Sequence, residues 1–210
     1  MLYIVDDEID IQNALQWIAK TRNLKCGVFS SGESFLSSLR ISPEIDGEAS
    51  EAELAKIKFD PKGDCVLLDI RMNGMSGIEV FNILNRKNLT HRLPVIFITG
   101  HGEVSIAVEA IKRGACDFFE KPFNDDVLFK QVDLSLSKSE KEFELAKIRS
   151  RFCKLTTREK EILGLILGGK MNKVISDKLG ISMRTVEVHR SNILDKMQVK
   201  SAIELAAVIR

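Results

Sequence analysis

The chain has 210 residues, 31 Lys and Arg against 30 Asp and Glu, and a formal charge of +1. At 44% hydrophobic residues it is too apolar for a disordered chain, and no apolar run approaches the ~20 residues of a bilayer span. Cys26, Cys65, Cys116 and Cys153 form no CxxC pair and His91, His101 and His189 are scattered, so neither a zinc centre nor a disulfide framework is expected. The acidic start, Met1 to Glu8, predicts no signal peptide, and a reducing cytoplasm is the expected location.

Leu2 to Val5 reads as a buried strand and Ile11 to Lys20 as a helix with Ile11, Leu15 and Ile18 on one face. A weaker strand (Cys26 to Phe29) and a second helix (Glu33 to Leu39) follow. Residues 43–63 break the rhythm with a polar, acidic stretch. It reads either as a partner-binding insertion or, preferably, as a solvated loop with a short surface helix. Cys65 to Leu68 and Val95 to Ile98 are strong buried strands. Between them Val80, Ile83 and Leu84 mark a helix. Val104, Val108 and Ile111 line another, and Phe118-Phe119 ends a fifth strand. Apolar strands alternating with helices predict an α/β doubly wound, five-stranded parallel sheet.

Asp125 to Arg151 is helical and highly charged. This linker, residues 126–152, would either couple two domains, pair with a second copy, or act as a spacer. After it come four short helices. Thr156 with Glu159, and Ser201 with Glu204, have capping-box spacing, and Gly168, Gly169 and Gly180 suit helix ends. The charge divides at the same place. Residues 1–150 hold 19 basic and 24 acidic side chains, a net of −5, whereas residues 151–210 hold 12 and 6, a net of +6. Two domains are therefore expected, 1–125 and 153–210.

In an open parallel sheet, functional groups gather past the carboxyl ends of the strands. Those ends carry Asp6 and Asp7, Asp69, Thr99 and Lys121. Clustered carboxylates need a cation, and all-oxygen ligation favours Mg2+. Asp69 is placed to attack a phosphoryl donor, with Lys121 and Thr99 on the new oxygens.

At this point residues 1–125 resemble the receiver domain of two-component response regulators. The resemblance rests on Ile4-Val5-Asp6-Asp7-Glu8, Leu67-Leu68-Asp69-Ile70-Arg71-Met72, Gly74-Met75-Ser76-Gly77, Phe97-Ile98-Thr99-Gly100, Gly114-Ala115 and Lys121-Pro122-Phe123. It implies that Asp69 accepts phosphate from a cognate histidine kinase. It implies Mg2+ on Asp7, Asp69 and the Arg71 carbonyl, with Asp6 acting through water. It implies a cis Lys121-Pro122 bond and a switch in which Thr99 moves and the ring of Phe118 turns inward. Arg71 and His101 stand two residues past Asp69 and Thr99, where side chains influence dephosphorylation. Asn73 replaces a common proline and Gly100 a common Ala or Ser, departures that remove no pocket residue.

Residues 171–197 read as helix, turn, helix. The first, Met171 to Leu179, turns Val174, Ile175 and Leu179 inward. The second, capped by Ser182, carries a core stripe of Val186, Ile193 and Met197. At about 100° per residue, Arg184, Glu187, Val188, Ser191 and Asp195 face outward, able to enter a major groove. Lys173, His189 and Arg190 would reach phosphates. Residues 153–210 resemble the LuxR-type output domain through Leu155-Thr156-Thr157-Arg158-Glu159, Asn172-Lys173, Ile175-Ser176, Leu179-Gly180 and Thr185-Val186-Glu187-Val188-His189-Arg190. The whole chain thus resembles the NarL/FixJ class of response regulators. Glu187 would accept from cytosine N4 or adjust helix charge. The last helix, from Ser201, would complete the core and serve as a dimer face.

The expected function is a phosphorylation-dependent transcriptional regulator, not an enzyme beyond its own phosphotransfer and dephosphorylation. Its expected partners are a histidine kinase, promoter DNA, RNA polymerase and a second copy on phosphorylation, with no membrane. Two alternatives differ in class: a phosphorylation-gated interaction module without DNA binding, and a haloacid-dehalogenase-type phosphatase. The latter needs an acid where Arg71 stands.

Overall fold

The computed structural model describes residues 1–43, 47–100 and 104–209. They form two compact units, Met1–Phe143 and Glu144–Arg210. The first holds β1 (Leu2–Val5), α1 (Ile9–Thr21), β2 (Cys26–Phe29), α2 (Gly32–Ser38), α3 (Glu51–Leu54), β3 (Cys65–Asp69), α4 (Gly77–Arg86), β4 (Val95–Thr99), α5 (Val104–Lys112), β5 (Asp117–Glu120) and the first part of α6 (Asp125–Cys153). All strand pairs are parallel, in the order β2-β1-β3-β4-β5. The chain reverses its direction of winding between β1 and β3, the crevice where open sheets of this kind bind ligands.

Successive strand residues point to opposite faces, and the sheet separates two cores accordingly. Tyr3, Val5, Val66, Leu68, Val95 and Phe97 pack on one side with Phe35, Leu36, Val80, Phe81 and Leu84. Leu2, Ile4, Cys65, Leu67, Ile96 and Ile98 pack on the other with Leu15, Ala19, Leu128, Phe129 and Val132. Covered on both faces, β1, β3 and β4 are buried along their length, whereas the edge strands β2 and β5 are half-buried.

Two expectations for this unit are corrected. Val108 of α5 is exposed and Ala110 takes the buried position. The expected loop at 43–63 is not simply solvated. Ile57 is buried, and Ala49, Leu54 and Phe59 pack on the first core. Glu53 Oε1 lies 3.2 Å from the ammonium of Lys87, a lysine only 3% exposed. The Arg92 guanidinium sits 3.7 Å from the centre of the Phe59 ring and 5.6 Å from that of Phe143. Asp64 N–H donates to Ser139 Oγ at 2.9 Å, and that hydroxyl donates to the Arg92 carbonyl at 2.6 Å. Gly63, at φ +87°, lies so close to α6 that a Cβ would stand 2.0 Å from the Leu136 carbonyl. The segment is therefore moored both to the end of α4 and to α6.

The second unit contains the end of α6, then α7 (Thr157–Leu167), α8 (Asn172–Leu179), α9 (Met183–Met197) and α10 (Ala202–Ile209). Leu155, Ile162, Leu163, Ile175, Val186, Ile193, Met197, Val199 and Leu205 form its core. Thr156 and Glu159 form a complete capping box on α7, and Gly180 ends α8 in the left-handed region, φ +62°. Ser201 Oγ accepts from Glu204 N–H, but the Glu204 carboxylate turns to Lys200 N–H, so that second box is only half formed. On α8, Met171 is the N-cap and Val174 is exposed, contrary to expectation. Val174 and Ile175 are adjacent, about 100° apart on the helix, and only Ile175 points at the core. On α10 Leu205 is buried, whereas Ile203 is 84% exposed.

Candidate functional site

Asp69 ends β3 and Thr99 ends β4, while Asp6 and Asp7 follow β1 directly. The parallel register sets these ends side by side, with Val5 opposite Leu68 and Asp69 opposite Ile98. One carboxylate oxygen from each of Asp6, Asp7 and Asp69 falls within 4.8 Å of the others. Asp6 and Asp69 are buried and Asp7 is half-buried. Lys121 follows β5 directly and is joined to Pro122 by a cis peptide bond. Its ammonium lies 3.0 Å from Asp6 Oδ2, 3.0 Å from Asp69 Oδ1 and 2.8 Å from Glu8 Oε1. The sequence-predicted pocket thus assembles, with Glu8 as an additional carboxylate that strand-end reasoning missed. Glu8 N–H also donates to Asp6 Oδ1 at 2.8 Å.

The charges perturb one another. Burial raises the Asp69 carboxyl to about 6, and the neighbouring Asp6 and Asp7 add to the rise against the opposing pull of Lys121. Burial also lifts Asp6 above the ordinary carboxylate range. For Lys121 burial works downward, but its bonds to Glu8, Asp6 and Asp69 win and hold the ammonium above the usual lysine range. Three oxygen donors around a half-open site suit a hard divalent cation such as Mg2+, so the residues present fit that ion.

The loop after Asp69 is tied down locally. Asn73 donates to Asp7 Oδ2 from its backbone N–H (3.0 Å) and from its side-chain amide (2.7 Å). Met75 N–H donates to Glu33 Oε1 at 2.9 Å. Ser76 and Glu79 close a capping box on α4. Gly77 passes so near the strand that a Cβ would lie 2.0 Å from the Asp69 carbonyl. Thr99 is fully buried, its hydroxyl donating to the Gly100 carbonyl at 3.1 Å. Phe118 is half-buried against the first core. Arg71 is exposed in the loop after β3. His101 lies outside the described residues.

In the second unit, Val186, Ile193 and Met197 are buried on one side of α9. Arg184, Thr185, Glu187, Val188, Ser191 and Asp195 are exposed, and His189 and Arg190 are half-buried. Thr185 is also committed to the helix start: its N–H donates to Ser182 Oγ, and the two hydroxyls lie 2.8 Å apart. Lys173, exposed on α8, and Arg190 line one depression of about 570 Å³ together with Lys170. Lys170 was missed because it precedes the helix whose pattern was read.

The profile of response regulator receiver domains matches residues 2–133, and that of bacterial regulatory proteins of the luxR family matches residues 154–209. The C4-dicarboxylate transport transcriptional regulatory protein DctR of Rhodobacter capsulatus is 37% identical over 98% of this chain and 96% of its own length. The transcriptional regulatory protein FixJ of Azorhizobium caulinodans is 35% identical over 97% and 89%. The chain belongs to the FixJ-type response regulators. Solved structures agree with that assignment. Response regulator StyR matches 99% of this chain and 96% of its own at 31% identity and TM-score 0.66. Full-length FixJ from B. japonicum matches 99% and 94% at 31% and TM-score 0.53. This FixJ-type protein is therefore a phosphorylation-dependent, DNA-binding transcriptional regulator. Its receiver implies a histidine kinase partner, and its luxR-family domain implies DNA. Among the described residues no helix is long and apolar enough to cross a membrane.

Proposed function

We propose that Asp69 is the phosphoacceptor. The observation that carries this is its carboxylate at the end of β3, sharing Lys121 with Asp6 and lying within the 4.8 Å cluster with Asp6 and Asp7. An Asp69 oxygen attacks the phosphorus of a kinase phosphohistidine. The P–N bond breaks, and the imidazole leaves with its electron pair and takes a proton. Asp7, Asp69 and the Arg71 carbonyl, with Asp6 beside them, would hold the Mg2+. When bound, the ion offsets the charge gathered between carboxylates and phosphoryl group. Lys121 and Thr99 meet the new phosphoryl oxygens, Phe118 relays the change, and Arg71 and His101 set the lifetime of the acyl phosphate.

Residues 1–125, with the insertion 43–63, serve as the receiver. Residues 126–152 serve as the connecting helix and 153–210 as the DNA-binding part. Phosphorylation favours a homodimer whose α9 helices enter paired major grooves. Arg184, Thr185, Glu187, Val188 and Ser191 face base edges, while Lys173, His189 and Arg190 face phosphates. The bound dimer contacts RNA polymerase in the cytoplasm.

The test uses acetyl phosphate and a promoter mobility shift. Wild-type protein is expected to be labelled and to shift DNA more tightly when labelled. Asp69→Asn is expected to do neither, and labelling retained elsewhere in Asp69→Asn would defeat the assignment.

A further inference from the structure

Lys121 pairs with Asp6, Glu8 and Asp69, whereas Asp7 is held by Asn73. Both N–H donors of Asn73 converge on a single oxygen, Oδ2 of Asp7, at 3.0 and 2.7 Å. An sp2 carboxylate oxygen has two lone pairs, and both are taken here. With Oδ2 so occupied, Oδ1 is the oxygen that Asp7 would offer a cation. Asn73 is itself fixed from the other side. Gly74 turns at φ +83° against Glu33, and Met75 N–H is bonded to the Glu33 carboxylate. The loop that carries Asn73 is thus anchored to Glu33 on one side and to Asp7 on the other.

We propose that Asn73 is a positioning residue of the metal site: it locks the Asp7 carboxylate with one oxygen turned to the ion. The inference rests on the reading of Asp6, Asp7 and Asp69 as the Mg2+ site. Its physical basis is that a ligating carboxylate bound by a fixed donor loses less rotamer freedom when the ion arrives. Loss of such outer hydrogen-bond partners weakens metal affinity by roughly 10–100-fold.

The experiment is calorimetric titration of the unphosphorylated full chain with Mg2+ alone. Asn73→Ala keeps the backbone donor and removes the amide, and is expected to weaken Mg2+ by about tenfold. Asn73→Pro removes both donors and is expected to weaken it further. Should the proline variant fail to fold, the alanine variant decides the question. A double-mutant cycle separates positioning from general loop damage. With Asp7→Asn already present, Asn73→Ala is expected to leave Mg2+ affinity unchanged. Unchanged or tighter binding by Asn73→Ala alone overturns the proposal, as does an equal loss in the Asp7→Asn background. The control is Asp69→Asn. If wild-type protein shows no Mg2+ binding that Asp69→Asn abolishes, the metal-site reading itself has failed and this inference falls with it.

Discussion

Lys121 Nζ stands 3.0 Å from Asp69 Oδ1 and, without moving, the same distance from Asp6 Oδ2. Two buried carboxylates thus share one cation. Breaking a buried ion pair by removing one partner leaves an uncompensated charge and costs about 3–5 kcal/mol. Lys121→Met is therefore expected to lose stability of that order in metal-free protein at pH 7. Mg2+ is expected to restore part of it by binding the native state alone. Urea unfolding with and without Mg2+ checks both, and equal stability of the two proteins would contradict the shared-cation account.

The Asp69 carboxyl, raised to about 6 by burial and by Asp6 and Asp7, titrates above its unfolded value of about 3.9. Between those two values the folded chain binds more protons than the unfolded one, so stability falls as pH rises through the window. Metal-free wild type is expected to lose on the order of 1–3 kcal/mol between pH 4 and pH 7 relative to Asp69→Asn. The difference between their unfolding free energies across that range is the measurement. Parallel curves would refute the shift.

Gly63→Ala tests how the insertion is moored. The new Cβ would meet the Leu136 carbonyl at 2.0 Å while the backbone sits at φ +87°. Left-handed strain and overpacking together predict a loss of about 2–4 kcal/mol, read from the urea midpoint at constant slope. A loss under ~0.5 kcal/mol, the scale of ordinary surface changes, would mean that the segment does not press on α6.

On α9 and α8 the expected effects differ in kind. Lys173→Ala should weaken binding about equally on all sequences and reduce the salt slope by roughly 1. Ser191→Ala should change which bases are preferred while leaving general affinity near wild type. Mobility shifts at several salt concentrations, with selected and scrambled sites, distinguish the two. Equal weakening on every sequence by Ser191→Ala would show that Ser191 reads no base.

The acidic pocket was legible because each buried apolar run stops at a polar residue, and a parallel sheet aligns those stops. The core stripe of α9 was legible from a single period over 15 residues. The mooring of 43–63 was not. Its contacts join positions such as Glu53 and Lys87, 34 residues apart, and carry no local period. The same limit hid Lys196, whose ammonium lies 2.6 Å from Glu159 Oε2, although the capping role of Glu159 was plain from spacing. Val108 was misplaced because a small residue, Ala110, took the inward position, and periodicity weighs larger side chains more heavily.

The pressing of Gly63 against α6 also decides where the chain can be divided. A fragment stopped before Asp125 would strip Leu128, Phe129 and Val132 from the second core. It would leave Asp64 N–H without its serine and Arg92 without one of its two aromatic rings. The shortest piece that keeps every one of these contacts ends at Phe143, well inside the helix. An excised receiver cut at the end of its last strand is expected to be a poorer protein than the same receiver with its connecting helix retained as far as Phe143.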